Sequence, residues 1–220
     1  MQVRNPPFRY LTLGLDMAAK RAVLVGGGTI AARKAAALRE AGMELVIIAP
    51  TLAPLLAGWA STGELTWHRR FWQTGDTCGA ALVIAATSNR EVNRQVAFEA
   101  RNQGIPVNVS DRPDEGTCRF PALLHRGSLE LAISTEGKSP AAAVAVRDTL
   151  AEIIGEEYGE MLELLALVRE KLLTLGMHEA YNVQIVKKLM EHGLADLLRE
   201  GRQSEAETMI KTTLSLDPGP

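Results

Sequence analysis

The run Leu24-Val25-Gly26-Gly27-Gly28-Thr29-Ile30-Ala31-Ala32-Arg33-Lys34 sets three glycines between an apolar stretch and an alanine-rich one. Gly26, Gly28 and Ala31 read G-x-G-x-x-A, with Gly27 in the first variable place. The first glycine of such a motif permits a tight turn, the second lets main-chain amides approach a diphosphate, and the small third residue packs a helix close to its strand. A helix beginning here adds the partial positive charge of its N-terminus. The chemistry is capture of a dinucleotide by bare main chain. An acid for the ribose belongs about 20 residues further on, but Ala49, Pro50 and Thr51 stand there. Ribose contacts then fall to backbone groups or to the Thr51 hydroxyl. No adjacent arginine offers itself to a 2′-phosphate, which favours NAD over NADP.

Other reactive side chains form no comparable pattern. Cys78 and Cys118 make no CxxC pair and have no histidine at ligand spacing, so two unpaired thiols and no metal site are expected. His68 lies in a strand pattern beside Arg69 and Arg70, and His125 precedes a turn; both read as structural. His178 and His192 share no helix face with a carboxylate pair. The segment Ser134-Thr135-Glu136-Gly137-Lys138-Ser139 lacks the spacing of a nucleoside-triphosphate loop.

The surrounding pattern supplies elements to position the glycine turn. Residues 20–28 form a β-rich run ending in glycine, and residues 29–42 carry apolar residues at helical spacing and stop at Gly42. Further strands are expected over 43–50, 64–71, 79–88 and 105–111, with helices over 52–63 and 89–104. Strands so apolar, each separated by a helix, fit a parallel sheet covered on both faces. Near residue 113 the rhythm changes. Two strand-like runs around His125-Arg126-Gly127 predict a hairpin, and Ser139 and Pro140 stand where an N-cap and first-turn proline belong. Residues 156–213 are helical in pattern, with breaks near Gly176, Gly193 and Gly201, and the apolar face of 160–175 is expected to be buried against the central unit or another subunit.

Composition narrows the classes. A chain of 220 residues with 46% hydrophobic content can build one or two domains. Its net charge of -2, with both signs interspersed, offers no polybasic surface for nucleic acid or membrane. No cleavable leader pattern opens the chain and nowhere do about 18 apolar residues run together, so a soluble, cytoplasmic protein is expected.

Five stretches in order, VGGGTIAARKAAALREAG with IIAP, LVIAATSNREVN, NVSD, and FPALLHRGSLELAISTEGKSPA, resemble the precorrin-2 dehydrogenase/sirohydrochlorin ferrochelatase family, the dehydrogenase-chelatase module of siroheme synthase. The resemblance covers roughly residues 8–155 and is loose beyond about 160. With no methyltransferase region in the chain, it is the stand-alone form that the sequence resembles. The resemblance implies an α/β protein: a Rossmann-like NAD-binding domain over 1–112, a strand-and-helix dimerisation region over 113–155 and a helical C-terminal region over 156–220, assembled as a homodimer. It implies NAD-dependent oxidation of the tetrapyrrole precorrin-2 to sirohydrochlorin and, in some members, insertion of ferrous iron to give siroheme.

The family's cofactor positions fall on Gly28, Thr29 and Ile30, on Pro50 and Thr51, and on Thr87, Ser88 and Asn89, joining Gly26 and Gly27 of the turn. Its key acid aligns with Asp111, at the end of a predicted parallel strand, where a carboxylate can accept the proton released in the oxidation. A substrate with eight carboxylates calls for cations; Arg112, Arg119, Arg126 and Lys138 are the candidates, with Arg147 and Arg33 nearby in sequence. Two rivals remain: a dehydrogenase without chelatase activity, and a non-catalytic NAD-sensing regulatory module. Such modules usually close the second strand with an acid, absent here, and do not need the unit around Phe120–Pro140.

Overall fold

A computed structural model describes residues 10–174 and 183–215. The expected break at Gly176 and the position of His178 lie outside the described residues. Two compact units divide the chain, Met1–Phe120 and Pro121–Pro220.

The first unit is built on β1 (Arg21–Val25), α1 (Thr29–Glu40), β2 (Glu44–Ile48), α2 (Pro54–Ser61), β3 (Thr66–His68), β4 (Leu82–Ala85), α3 (Arg90–Asn102) and β5 (Val107–Val109). Its five strands lie parallel in the order β3-β2-β1-β4-β5. That order places the reversal of winding between β1 and β4, and an open α/β sheet binds ligands outside the carboxyl ends of its strands at such a point.

The strands read as unbroken apolar runs because both faces are covered. Side chains alternate across a strand, so Ala22 and Leu24 of β1, Leu45 and Ile47 of β2 and Ile84 of β4 pack with Ala31, Ala35 and Leu38 of α1 and Leu56 of α2. Val23, Val25, Val46, Ile48, Val83, Ala85, Val107 and Val109 fill the opposite face against Val96, Ala97 and Ala100 of α3. Alanines on α1 and α3 let the helices approach closely.

The alternation fails once. Between β3 and β4 the chain runs through turns rather than a helix. Residues 69–81 lack helical apolar spacing, and Gly75 and Gly79 take positive φ. Arg70 grips Asp76 with two hydrogen bonds of 2.8 and 2.7 Å, and this partner holds the Asp76 carboxyl below its usual range. Gly75 and Thr77 donate backbone amides to Glu99 of α3 at 2.9 and 3.1 Å. A strand expected over 64–71 forms only over Thr66–His68, an edge strand paired with β2 alone, and the Arg70–Asp76 pair lies just past its end.

The second unit opens with a hairpin of β6 (Ala122–Arg126) and β7 (Leu129–Ile133), in register Leu124↔Leu131. Next comes α4 (Pro140–Ile153), where the Ser139 hydroxyl accepts from the Ala142 amide at 3.2 Å and Pro140 opens the helix, as the sequence predicts. The tail forms α5 (Glu157–Thr174), α6 (Val183–Glu191), α7 (Leu194–Arg199) and α8 (Gln203–Ser215). Met161 and Leu165 of α5 meet Ile185, Leu189, Leu194, Leu198, Ala206 and Ile210 in one core, so part of the apolar surface of α5 is buried within its own tail, while Leu167 and Leu173 stay exposed. No helix among the described residues is long and apolar enough to cross a membrane.

Both cysteines are free thiols. Cys78 is exposed, whereas burial pushes the Cys118 thiol up to about 11, a rise that the nearby Lys34 ammonium opposes. Since the thiolate is the nucleophile, a disulfide reagent at about pH 8 is expected to titrate Cys78 in the native chain and Cys118 only after unfolding. Two thiols reacting at equal, fast rates in native buffer would contradict this placement.

Candidate functional site

The glycine turn follows β1 at the carboxyl edge of the sheet. Gly26 takes φ 118°, a backbone conformation that favours glycine. A Cβ there would meet the Ala86 carbonyl oxygen, after β4, at 2.3 Å, and one at Gly27 would meet the Thr51 carbonyl oxygen, after β2, at 2.2 Å. The turn is thus wedged between the two loops that flank it, and Ala53 donates its amide to the Gly27 carbonyl at 2.7 Å.

Gly28 differs. It is exposed, has φ -81°, and a Cβ there would meet nothing within 4 Å. It caps α1, yet no side chain caps the helix and its first turn holds no acid. The first amides of a helix have no partner within it. In α3 the Asn89 side chain accepts from the Glu91 and Val92 amides at 3.0 and 3.3 Å, and in α4 Ser139 does the same service. On α1 no side chain takes these amides, and Gly28, Thr29 and Ile30 are exposed. An uncapped positive helix end behind a glycine with room in front of it fits a dinucleotide diphosphate. Pro50 and Thr51 are exposed on the neighbouring loop, and no carboxylate stands there.

Asp111 follows β5 and is exposed. Its Oδ1 accepts from Asn93 Nδ2 at 2.9 Å, and its Oδ2 lies 3.7 Å from Arg90 Nε. Arg90 is itself held by the buried Glu115 carboxylate. Asn93 is fully buried on α3, and its amide is saturated: Oδ1 accepts from the Thr87 amide and hydroxyl at 3.0 and 2.8 Å, while Nδ2 also donates to the Thr87 carbonyl at 3.0 Å. One side chain therefore joins the loop after β4 to the acid after β5. Ser88 and Asn89 complete that loop, and the Asn89 side-chain oxygen is committed to capping.

Sequence reasoning did not single out Asn93, Arg90 or Glu115. A signal for Asn93 existed: it shares the helical spacing of the buried Val96, Ala97 and Ala100, a polar residue on a core face, and buried polar groups are bonded to something specific.

The expected cations separate. Arg112 is exposed, 4.0 Å from Asp114, and the Arg119 guanidinium stacks 4.5 Å from the Tyr10 ring centre. Both belong to the first unit, as does Lys34, whose Nζ lies 4.6 Å over the Phe120 ring and whose ammonium is lowered from its ordinary pKa by burial and then by Arg33. Lys138 is exposed in the loop before α4. Arg126 is engaged within the second unit, donating to the Ile154 and Ala151 carbonyls at 2.8 and 3.2 Å and pairing with Glu156 at 3.3 Å. Those bonds close the C-terminal end of α4, where carbonyls have no helical partner.

The two kinds of glycine are separable by mutation. Gly26→Ala is expected to destabilise the fold by about 3 kcal/mol or more, through backbone strain and the Ala86 clash. Gly28→Leu should cost at most about 1 kcal/mol in urea unfolding, yet lower dinucleotide affinity by at least ~10-fold in titration calorimetry. Unchanged affinity in Gly28→Leu would tell against the open turn as the binding surface.

Comparison with known proteins agrees with this geometry. The family model described as "Putative NAD(P)-binding" matches residues 13–122. Siroheme synthase of Nitrosococcus oceani is 32% identical over 206 residues, 94% of this chain and 44% of that protein. Siroheme synthase of Pseudomonas entomophila is 34% identical over 209 residues, 95% of this chain and 45% of that protein. The chain thus spans less than half the length of these curated relatives. Among solved structures, that of SirC, precorrin-2 dehydrogenase, superposes with a TM-score of 0.72 at 26% identity, covering 92% of this chain and 100% of that one. With an open glycine turn at the switch point of its sheet and a family match over the whole of that sheet, the chain belongs to this NAD(P)-binding family and is a homologue of part of siroheme synthase.

Proposed function

We propose that this chain oxidises precorrin-2 to sirohydrochlorin with NAD, a step in the formation of siroheme. The observation that carries the reading is the pairing of an uncapped, side-chain-free turn after β1 with an exposed, doubly braced carboxylate after β5, both at the carboxyl edge of one sheet. Similarity over nearly the whole chain to a precorrin-2 dehydrogenase and to siroheme synthases supports the substrate.

In this oxidation precorrin-2 gives up one hydride with its electron pair and one proton, and a carbon–carbon or carbon–nitrogen double bond forms. NAD, when bound, supplies the acceptor for that hydride. Gly26, Gly27, Gly28, Thr29 and Ile30 would hold its diphosphate, Pro50 and Thr51 would border the ribose, and Thr87, Ser88 and Asn89 would complete the cofactor site. Asp111 would take the proton. Arg112, Arg119 and Lys138 would receive substrate carboxylates; Arg126, with its donors on α4 carbonyls, is the weakest of the four candidates. Where iron insertion accompanies the oxidation, ferrous iron is a substrate that displaces two pyrrole N–H protons, and the same carboxylate would accept them one at a time, passing the first to water before taking the second.

The chain would act as a homodimer in the cytoplasm. Val146 and Ile153, two turns apart on one side of α4, are exposed by 47% and 61%, an apolar strip that supports pairing through the second unit.

Anaerobic precorrin-2 and NAD are expected to yield NADH and the sirohydrochlorin spectrum, with ferrous iron in a parallel reaction reporting chelation. Asp111→Ala should lower kcat by about 100-fold or more with NAD affinity nearly unchanged. NAD binding without turnover of precorrin-2 would favour a regulatory module instead. Sedimentation should give twice the chain mass, and a monomer at micromolar concentration would remove the dimer.

A further inference from the structure

Asp111 carries no secondary structure of its own: β5 ends two residues earlier, and the carboxylate is exposed. An exposed aspartate samples several rotamers unless something holds it, and a proton acceptor must sit at a fixed place to be effective. The first turn of α3 provides the hold. Asn89 caps the helix and fixes its start. One turn on, Asn93 is fully buried, and its amide cannot swing away from Asp111 without breaking three bonds to Thr87. Amide orientation is fixed as well. Only Oδ1 can accept from the Thr87 amide, which leaves Nδ2 pointing at Asp111.

We propose that Asn93 is a positioning residue for the oxidation, tying Asp111 Oδ1 down so that Oδ2 is the proton acceptor, in fixed relation to the Thr87 loop. This rests on the reading of Asp111 as the acid that takes the proton. Arg90 assists from the other side, 3.7 Å from Oδ2 and anchored on Glu115, which limits the rotation of the carboxylate. Asn93 itself does not reach the reacting atoms. Its effect passes through Asp111.

Asn93→Asp is the informative variant, because it is isosteric and keeps the two acceptor bonds from Thr87 while replacing by an oxygen the donor that serves both Asp111 and the Thr87 carbonyl. The new carboxyl would face Asp111, whose Oδ2 lies near Arg90, and Arg90 is held in turn by Glu115. Two carboxylates at that separation repel unless they share a proton. We expect kcat to fall by about 10- to 100-fold at neutral pH, NAD affinity to stay near that of the unsubstituted chain, and the deficit to shrink as pH is lowered and the pair takes up a proton. A kcat equal to that of the unsubstituted chain, with Asp111→Ala inactive, would overturn the positioning role and leave the role of Asp111 intact. Loss of kcat and NAD affinity together, independent of pH, would also overturn it, by showing Asn93 to be a brace of the fold. Full activity in Asp111→Ala would remove both readings. Should Asn93→Asp not fold, the unsubstituted chain decides by NMR: the Asn93 side-chain amide resonances are expected to move on Asp111→Asn, and resonances that stay in place would refute the contact.

Discussion

Two carbonyl oxygens, those of Ala86 and Thr51, stand 2.3 and 2.2 Å from where Cβ atoms would grow at Gly26 and Gly27. Most of the site follows from that lack of room. The chain leaving β1 passes between the loops after β4 and β2 only because it has no side chains there, and the packing sets where α1 begins. The helix then starts at exposed Gly28 with no side-chain cap. The loop after β2 is bound to the same turn through the Ala53 amide, so the place where a ribose-binding acid would stand is occupied by main chain and the Thr51 hydroxyl.

The three helix starts that matter show how a fold distributes its unsatisfied amides. Asn89 and Ser139 close α3 and α4 with side-chain oxygens, which makes these ends rigid and self-sufficient. On α1 no side chain closes the end, which forgoes the roughly 1 kcal/mol that a cap would contribute. Capping of α3 has a second effect. It holds Asn93 in place, and Asn93 in turn joins Thr87 to Asp111, so the loops after β4 and β5 behave as one polar cluster over an apolar sheet. A saturated buried amide of this kind specifies a single arrangement more strictly than apolar packing does.

The second unit uses arginine differently from what charge counting suggests. Arg126 lies on a hairpin strand and donates to the carbonyls that end α4, and close approach at the α5 start is secured by Gly159, where a Cβ would come within 2.8 Å of the Arg126 carbonyl oxygen. Arg199 likewise donates to the buried Glu157 at 2.6 Å. In both cases the cation satisfies groups of its own unit first.

The sequence by itself determined the alternation of apolar strands and amphipathic helices, the glycine turn and its uncapped helix, the hairpin, and the Ser139-Pro140 start of α4, because each depends on residues within one or two turns of each other. Hydrophobic periodicity and backbone sterics act locally and are written locally. Tertiary structure alone decided the rest. The helix missing between β3 and β4 is replaced by turns that Arg70, Asp76 and Glu99 hold together, across as many as 24 residues. The link from Thr87 through Asn93 to Asp111 includes a bond between positions 18 residues apart, Asn93 and Asp111, that only parallel strand order brings side by side. Whether a cation such as Arg126 faces a ligand or a neighbouring carbonyl depends on the same kind of distant contact. A hydrogen bond between side chains from different elements leaves no periodic trace in a sequence, and it forms only after the sheet has set their distance.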